Sequence, residues 1–187
     1  FWVALSEPAR SRMAFDEHPS VRAAVLESVR TLGHVFGGLE ISVAALDHMI
    51  KTGDTETWRT LAARYGELPI EILEQLANTG DAPTAVLVAK DYYTKGDLLV
   101  RLAGSNEREV VEAVASRLRS GDDRDYDDAT RKALLRNPHA PELFLRQVAY
   151  GGAKDEDMIS LAIKHPNFPE SMLIAFAEGT DQRRIMS

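Results

Sequence analysis

A chain of 187 residues is the size of one domain or one continuous repeat array, and its 44% hydrophobic and 27% charged residues give the balance of a folded protein. Its 29 acidic residues outnumber its 22 basic ones, and a net charge of −7 opposes binding to a phosphate backbone. The absence of cysteine excludes disulfides, thiolate metal sites and cysteine nucleophiles and fits a reducing, cytoplasmic compartment, while no apolar run approaches the ~20 residues needed to cross a bilayer.

In chain order, Pro19 opens a helix that carries Leu26 and Val29, and Gly33, Gly37 and Gly38 read as the loop after it. A helix with Leu46, Met49 and Ile50 stops at Gly53, and Asp54 caps another through Trp58, Leu61, Ala62 and Tyr65. Pro69 starts the helix of Leu73 and Leu76, and Asp81-Ala82-Pro83 starts that of Val86, Leu87 and Ala89. The turn with Lys90, Tyr92, Tyr93 and Lys95 leads to the helix of Leu99, Leu102 and Ala103. Asn106 and Glu109 form a capping box before Val110, Val111, Val114 and Ala115. The acidic stretch from Ser120 to Asp128 reads as a loop in place of a lost or shortened helix. Helices over 129–136 and 157–164 alternate with those of Leu145 and Leu173, and period-two strand signals are absent.

A leucine followed three places later by an apolar residue, with alanine at the fourth, recurs at Leu73, Leu99, Leu145 and Leu173, with looser copies at Leu26 and Leu46. Successive leucines lie 20, 27, 26, 46 and 28 residues apart. A recurrence of ~20–50 residues marks a stacked-repeat protein, because one amphipathic hairpin cannot cover its own apolar stripe. Proline stands four residues before the leucine at Pro69, Pro141 and Pro169, placed for the first helical turn. Glycine stands seven after it at Gly33, Gly53, Gly80 and Gly152, the place of a left-handed helix end. Asn137-Pro138-His139-Ala140-Pro141 and His165-Pro166-Asn167-Phe168-Pro169 read as equivalent turns, with His18 before Pro19 at the same position, each side chain closing its turn.

The phrase from Asn137 to Ala149 resembles the variant leucine-rich repeat, which joins an Asn-Pro-x-x-Pro turn to a helix with Leu and Leu-Ala; His165 to Ala177 matches with His for Asn, and Tyr65 to Ala77 keeps the second proline. The wider kin are the HEAT and armadillo α-solenoids. The resemblance implies an all-α fold, a right-handed superhelix of about five helical hairpins spanning 1–187, used mostly for binding. Some members hold an iron–sulfur cluster, for which this chain has no cysteine.

No motif of a hydrolase elbow, zinc protease or phosphate loop is present. Asp123, Asp125 and Asp127 alternate as in a calcium loop, but Asp128 and Leu134 stand where an EF-hand needs glycine and glutamate. Neither a cofactor nor a metal is expected. The helix faces one and two places after each leucine give two columns, Glu27, Asp47, Glu74, Val100, Arg146, Ile174 and Ser28, His48, Gln75, Arg101, Gln147, Ala175. In solenoids such columns line the concave face. Arg101, Arg146, Gln75, Gln147 and the turn residue Tyr93 are the candidate contact residues for a protein or peptide partner. The expectation is a non-enzymatic interaction module. The alternatives are a HEAT-like nucleic-acid-binding or DNA-glycosylase-type protein, which the acidic surplus disfavours, and a structural segment of a larger assembly that self-associates.

Overall fold

The computed structural model describes residues 6–32, 41–64, 68–119, 128–150 and 155–177. Every regular element among them is a helix: α1 (Glu7–Ala14), α2 (Pro19–Leu32), α3 (Val43–Thr52), α4 (Thr55–Arg64), α5 (Ile70–Ala77), α6 (Ala82–Lys90), α7 (Gly96–Ala103), α8 (Arg108–Arg119), α9 (Asp128–Arg136), α10 (Glu142–Tyr150), α11 (Glu156–Ile163) and α12 (Glu170–Ala177). The expected all-helical class is what the structure has. The acidic stretch through Asp123, Asp125 and Asp127, and Gly33, Gly37, Gly38 and Gly152, lie outside the described residues.

Local chemistry explains where the helices begin. Asp54 Oδ1 accepts the Thr57 N–H at 3.0 Å, and Asp81 Oδ2 accepts that of Thr84 at 3.0 Å, so both aspartates cap the helices that follow them. Pro69, Pro141 and Pro169 stand one place earlier than expected. Each precedes its helix, and its carbonyl accepts the first intrahelical N–H groups, as Pro69 does from Ile72 and Leu73. Helix α8 opens at Glu107, whose carbonyl takes the Val110 and Val111 N–H groups, and not at Asn106. The repeated tripeptide Thr-Gly-Asp has two backbone forms. Gly80 has φ +81, the left-handed region that glycine tolerates, whereas Gly53 has φ −82. Gly53 is needed for closeness instead, since a Cβ there would fall 2.6 Å from Thr57 Cγ2.

The chain divides into two compact units, Phe1–Thr94 and Lys95–Ser187. In the first, α1, α3 and α5 pack side by side in one row and α2, α4 and α6 in a second, with α1 against α2, α3 against α4 and α5 against α6. In the second, α7, α9 and α11 form a row, α8 packs on α7 and on α10, and α10 packs on α11. Helix α1 had no counterpart in the sequence reading. Consecutive helices alternate between rows, so each place where the leucine rhythm breaks moves the leucine helices to the other row. Leu26 therefore lies in the row of α4 and α6, opposite Leu46 and Leu73, and Leu99 lies in a different row from Leu145.

The leucine stripe is the core. Leu46, Leu73, Leu99 and Leu145 are sealed from solvent, as are Met49, Leu76, Leu102 and Val148 three places on. The residue before each leucine is buried too: Ala45, Ile72, Leu98 and Phe144. In α12 this neighbour replaces the leucine, with Met172 buried and Leu173 38% exposed. Burying one such side chain is worth about 1.5–3 kcal/mol, more than a typical cap at about 1 kcal/mol, so packing sets the fold and capping sets the helix ends.

Turns that leave the α7, α9 and α11 row are joined by hydrogen bonds. Asn137, 5% exposed, donates from Nδ2 to the carbonyls of Ala103 at 2.9 Å and Ser105 at 2.7 Å, the turn after α7. Its Oδ1 accepts the His139 N–H at 2.9 Å. One repeat later His165 takes the same part: Nδ1 accepts the Asn167 N–H at 3.1 Å and Nε2 lies 2.9 Å from the Asn137 carbonyl. Since Nδ1 is the acceptor, Nε2 carries the proton and donates. Asn167 Nδ2 then donates to the carbonyls of Pro138 and Ala140. The same i to i+2 closure after α1 comes from Asp16, which accepts the His18 N–H at 2.8 Å, so Asp16 and not His18 is the counterpart of Asn137. Replacing Asn137 by Ala strands two carbonyls and one N–H and should cost about 2–4 kcal/mol in denaturant unfolding. His165→Ala should cost about 2 kcal/mol, and His165→Asn, which keeps both an acceptor and a donor, less than about 1 kcal/mol.

Candidate functional site

The expected contact residues fall on four different elements. Arg101 is exposed on α7 and makes no ion pair or side-chain hydrogen bond with the described residues. Arg146, half-buried on α10, lies 3.6 Å from Glu142 one turn earlier, and Gln147 beside it is exposed. Burial raises the Tyr150 phenol above its usual range, against the opposing pull of the Arg146 charge. Within the second unit Arg101 and Arg146 therefore share a unit but not a row: α7 runs beside α9, and α10 beside α8 and α11.

Gln75 and Tyr93 belong to the first unit. Gln75, half-buried on α5, lies on the helix beside α3, which carries Asp47. The Lys51 ammonium at 2.8 Å, with Gln75 adding to it, holds Asp47 below the usual carboxylate range. His48, next along α3, stacks on Phe15 with ring centroids 4.9 Å apart. Tyr93 is 39% exposed and meets Tyr92 edge to face at 5.4 Å, and the Asp91 carboxylate takes its N–H. Trp58 is half-buried, and its indole N–H donates to the Ile50 carbonyl at 2.9 Å, a packing and anchoring role.

Two ion pairs repeat a design. Arg59 of α4 grips the cap of α6 with two bonds, Nε to Asp81 Oδ2 at 2.9 Å and Nη2 to Oδ1 at 2.7 Å. Lys132 of α9 likewise reaches Asp155, the cap of α11, at 3.2 Å. In both, the cation on one helix is the leading cause that holds the cap carboxyl of the next below its ordinary range, and the Thr84 hydroxyl adds to the effect at Asp81. These charges link neighbouring helices and are not arranged around a reacting group. Among the described residues no three His, Cys, Asp or Glu side chains gather as metal ligands would, and no helix is long and apolar enough to cross a membrane.

Sequence reasoning missed an open groove of about 440 Å³ in the first unit, between α2, the end of α3 and α4. Met49 and Thr60 line it, with Glu27, Asp54, Glu56 and Arg22 around it. These residues come from three helices and form no motif along the chain; only the repeated Thr52-Gly53-Asp54 pointed toward the place.

Comparison of the chain with protein-family models, with curated proteins and with solved structures finds no match.

The clamp on Asp81 gives a pH signature. An aspartate whose folded pKa is depressed adds stability above its unfolded value of about 3.9, and that stability is lost as the pH falls toward the folded value. At pH 7 Asp81→Asn, which keeps a capping oxygen, should lose up to about 1 kcal/mol because Arg59 is half-exposed. Asp81→Ala should lose about 1 kcal/mol more with the cap. Urea unfolding at pH 7 and at pH 3 tests this: the gap between wild type and Asp81→Asn should narrow at the lower pH.

Proposed function

We propose that this chain is a non-enzymatic protein-interaction module, an α-solenoid segment of stacked helical hairpins that works in the cytoplasm and docks a protein or peptide partner on exposed helix faces. The observation that carries this reading is how the polar side chains divide. In the second unit and around α6 the buried ones serve the fold: Asn137 and His165 tie turns together, Thr84 bonds the Asp81 cap, and Thr94 donates to the Val88 carbonyl at 2.7 Å. Arg101 and Gln147 stand exposed outside these networks. Arginine is enriched among the few residues that carry interface affinity, and short helices held in rows are preorganised, which lowers the entropy cost of binding. The cysteine-free composition suits a reducing compartment. Among the described residues no three His, Cys, Asp or Glu side chains gather as metal ligands would, and the acidic surplus opposes a nucleic-acid partner.

Because Arg101 and Arg146 lie in different rows, they serve as two separate anchors. Arg101→Glu and Arg146→Glu should each lower the yield of the partner cross-linked in cells about tenfold, and Lys164→Glu, an exposed control on the same unit, should leave it unchanged. Quantitative mass spectrometry of the cross-linked species reads the result. Unaltered yields in both arginine variants reject this surface, and micromolar, salt-sensitive binding of a DNA duplex would replace the reading with the nucleic-acid one.

A further inference from the structure

We propose that the groove of the first unit is a docking site for a lysine- or arginine-bearing segment of a protein partner. It shares no residue with Arg101 or Arg146, so it stands or falls apart from the surface of the second unit.

Its charge selects a cation. Two carboxylates, Asp54 and Glu56, border it beside Glu27, which has an interaction of its own, and the guanidinium among its lining residues is turned aside: Arg22 Nη1 donates to the backbone carbonyls of Asp16 at 2.7 Å and Glu17 at 3.0 Å. Helix α3 ends on the groove at Gly53, where the carbonyl end of a helix carries partial negative charge. Bonds from the Thr57 N–H and hydroxyl hold Asp54 below the usual carboxylate range, so it is ionised at neutral pH. An anionic ligand would meet like charge on most of this rim.

The floor supplies an independent mark. Thr60 is 8% exposed, lines the groove, and makes no side-chain hydrogen bond with the described residues, and its hydroxyl is not sealed from solvent. A ligand ammonium or guanidinium would give that oxygen a donor. The groove's about 440 Å³ accommodates one long side chain and its flanking backbone. Its open form suits a side chain carried on a peptide, and the net charge of −7 draws basic segments toward the chain.

The test is an amide NMR titration of the intact chain with the peptide acetyl-Gly-Lys-Gly-Lys-Gly-amide. The expected result is shifts concentrated at Met49, Gly53, Thr57 and Thr60. Affinity should fall about fivefold in Glu56→Gln and in Thr60→Val, while Arg101→Glu/Arg146→Glu binds like the wild type. Thr60→Val keeps the shape of the side chain; should it fail to fold, exposed Glu56→Gln decides alone. Equal binding of a peptide with norleucine in place of lysine overturns the proposal. So do shifts scattered over the acidic surface that ignore Glu56→Gln. Tighter binding of spermidine than of the peptide at the same amides also overturns it, by making the ligand a free polyamine.

Discussion

The bonds that Asn137 makes to the turn before it, and accepts from the turn after it, set the register of the turns in the second unit. The helices described are 8 to 14 residues long, as in α5 and α2. Isolated helices shorter than about 12–15 residues are marginal in water, so each of these persists only against its neighbours. Apolar burial supplies the attraction but tolerates sliding, because leucine against leucine has no preferred register. Asn137 Nδ2 on two carbonyls of one turn, and His165 Nε2 on the Asn137 carbonyl, remove that freedom. A buried donor left without its acceptor costs about 1–3 kcal/mol, so a row displaced by one residue is penalised at every turn.

The first unit reaches the same end by charge. Arg59 on Asp81 ties the side of α4 to the first turn of α6, at the opposite end of the helix from a turn such as that of Asn137. Lys132 on Asp155 does so in the second unit, where both devices act on the same row. A cap that also pairs with the preceding helix does two things with one carboxylate: it satisfies orphan N–H groups and sets the distance to a neighbour.

Much of this was legible in the sequence because it depends on near neighbours. The leucines, the prolines before Ile70, Glu142 and Glu170, and the caps Asp54 and Asp81 all announce themselves within one turn of helix. The order of the rows does not, since it depends on counting helices without error. The two breaks in the rhythm, steps of one and of three helices where the others are two, put Leu26 opposite Leu46 and Leu99 opposite Leu145. The surface columns inherit the same ambiguity: Asp47 and Gln75 lie on the neighbouring helices α3 and α5, while Arg101 and Arg146 are divided between rows. Leu173 shows the limit from another side. Its helix has the pattern of the others, yet Met172 takes the buried place, which a periodic pattern two residues wide permits.

The groove was illegible for a further reason, which the two Thr-Gly-Asp copies make plain. In both, the threonine hydroxyl returns to a helix carbonyl, Thr52 to His48 and Thr79 to Leu76, and the aspartate caps the next helix. At Gly80 the left-handed backbone leaves the α-carbon in open space, and the Asp81 carboxylate is closed off by Arg59. At Gly53 the backbone is extended and pressed against Thr57, and no arginine covers Asp54, whose capping carboxylate borders the groove. Identical residues thus give a sealed joint in one repeat and an open, acidic one in the other. The difference lies in one partner twenty-two residues away from Asp81, the Arg59 side chain.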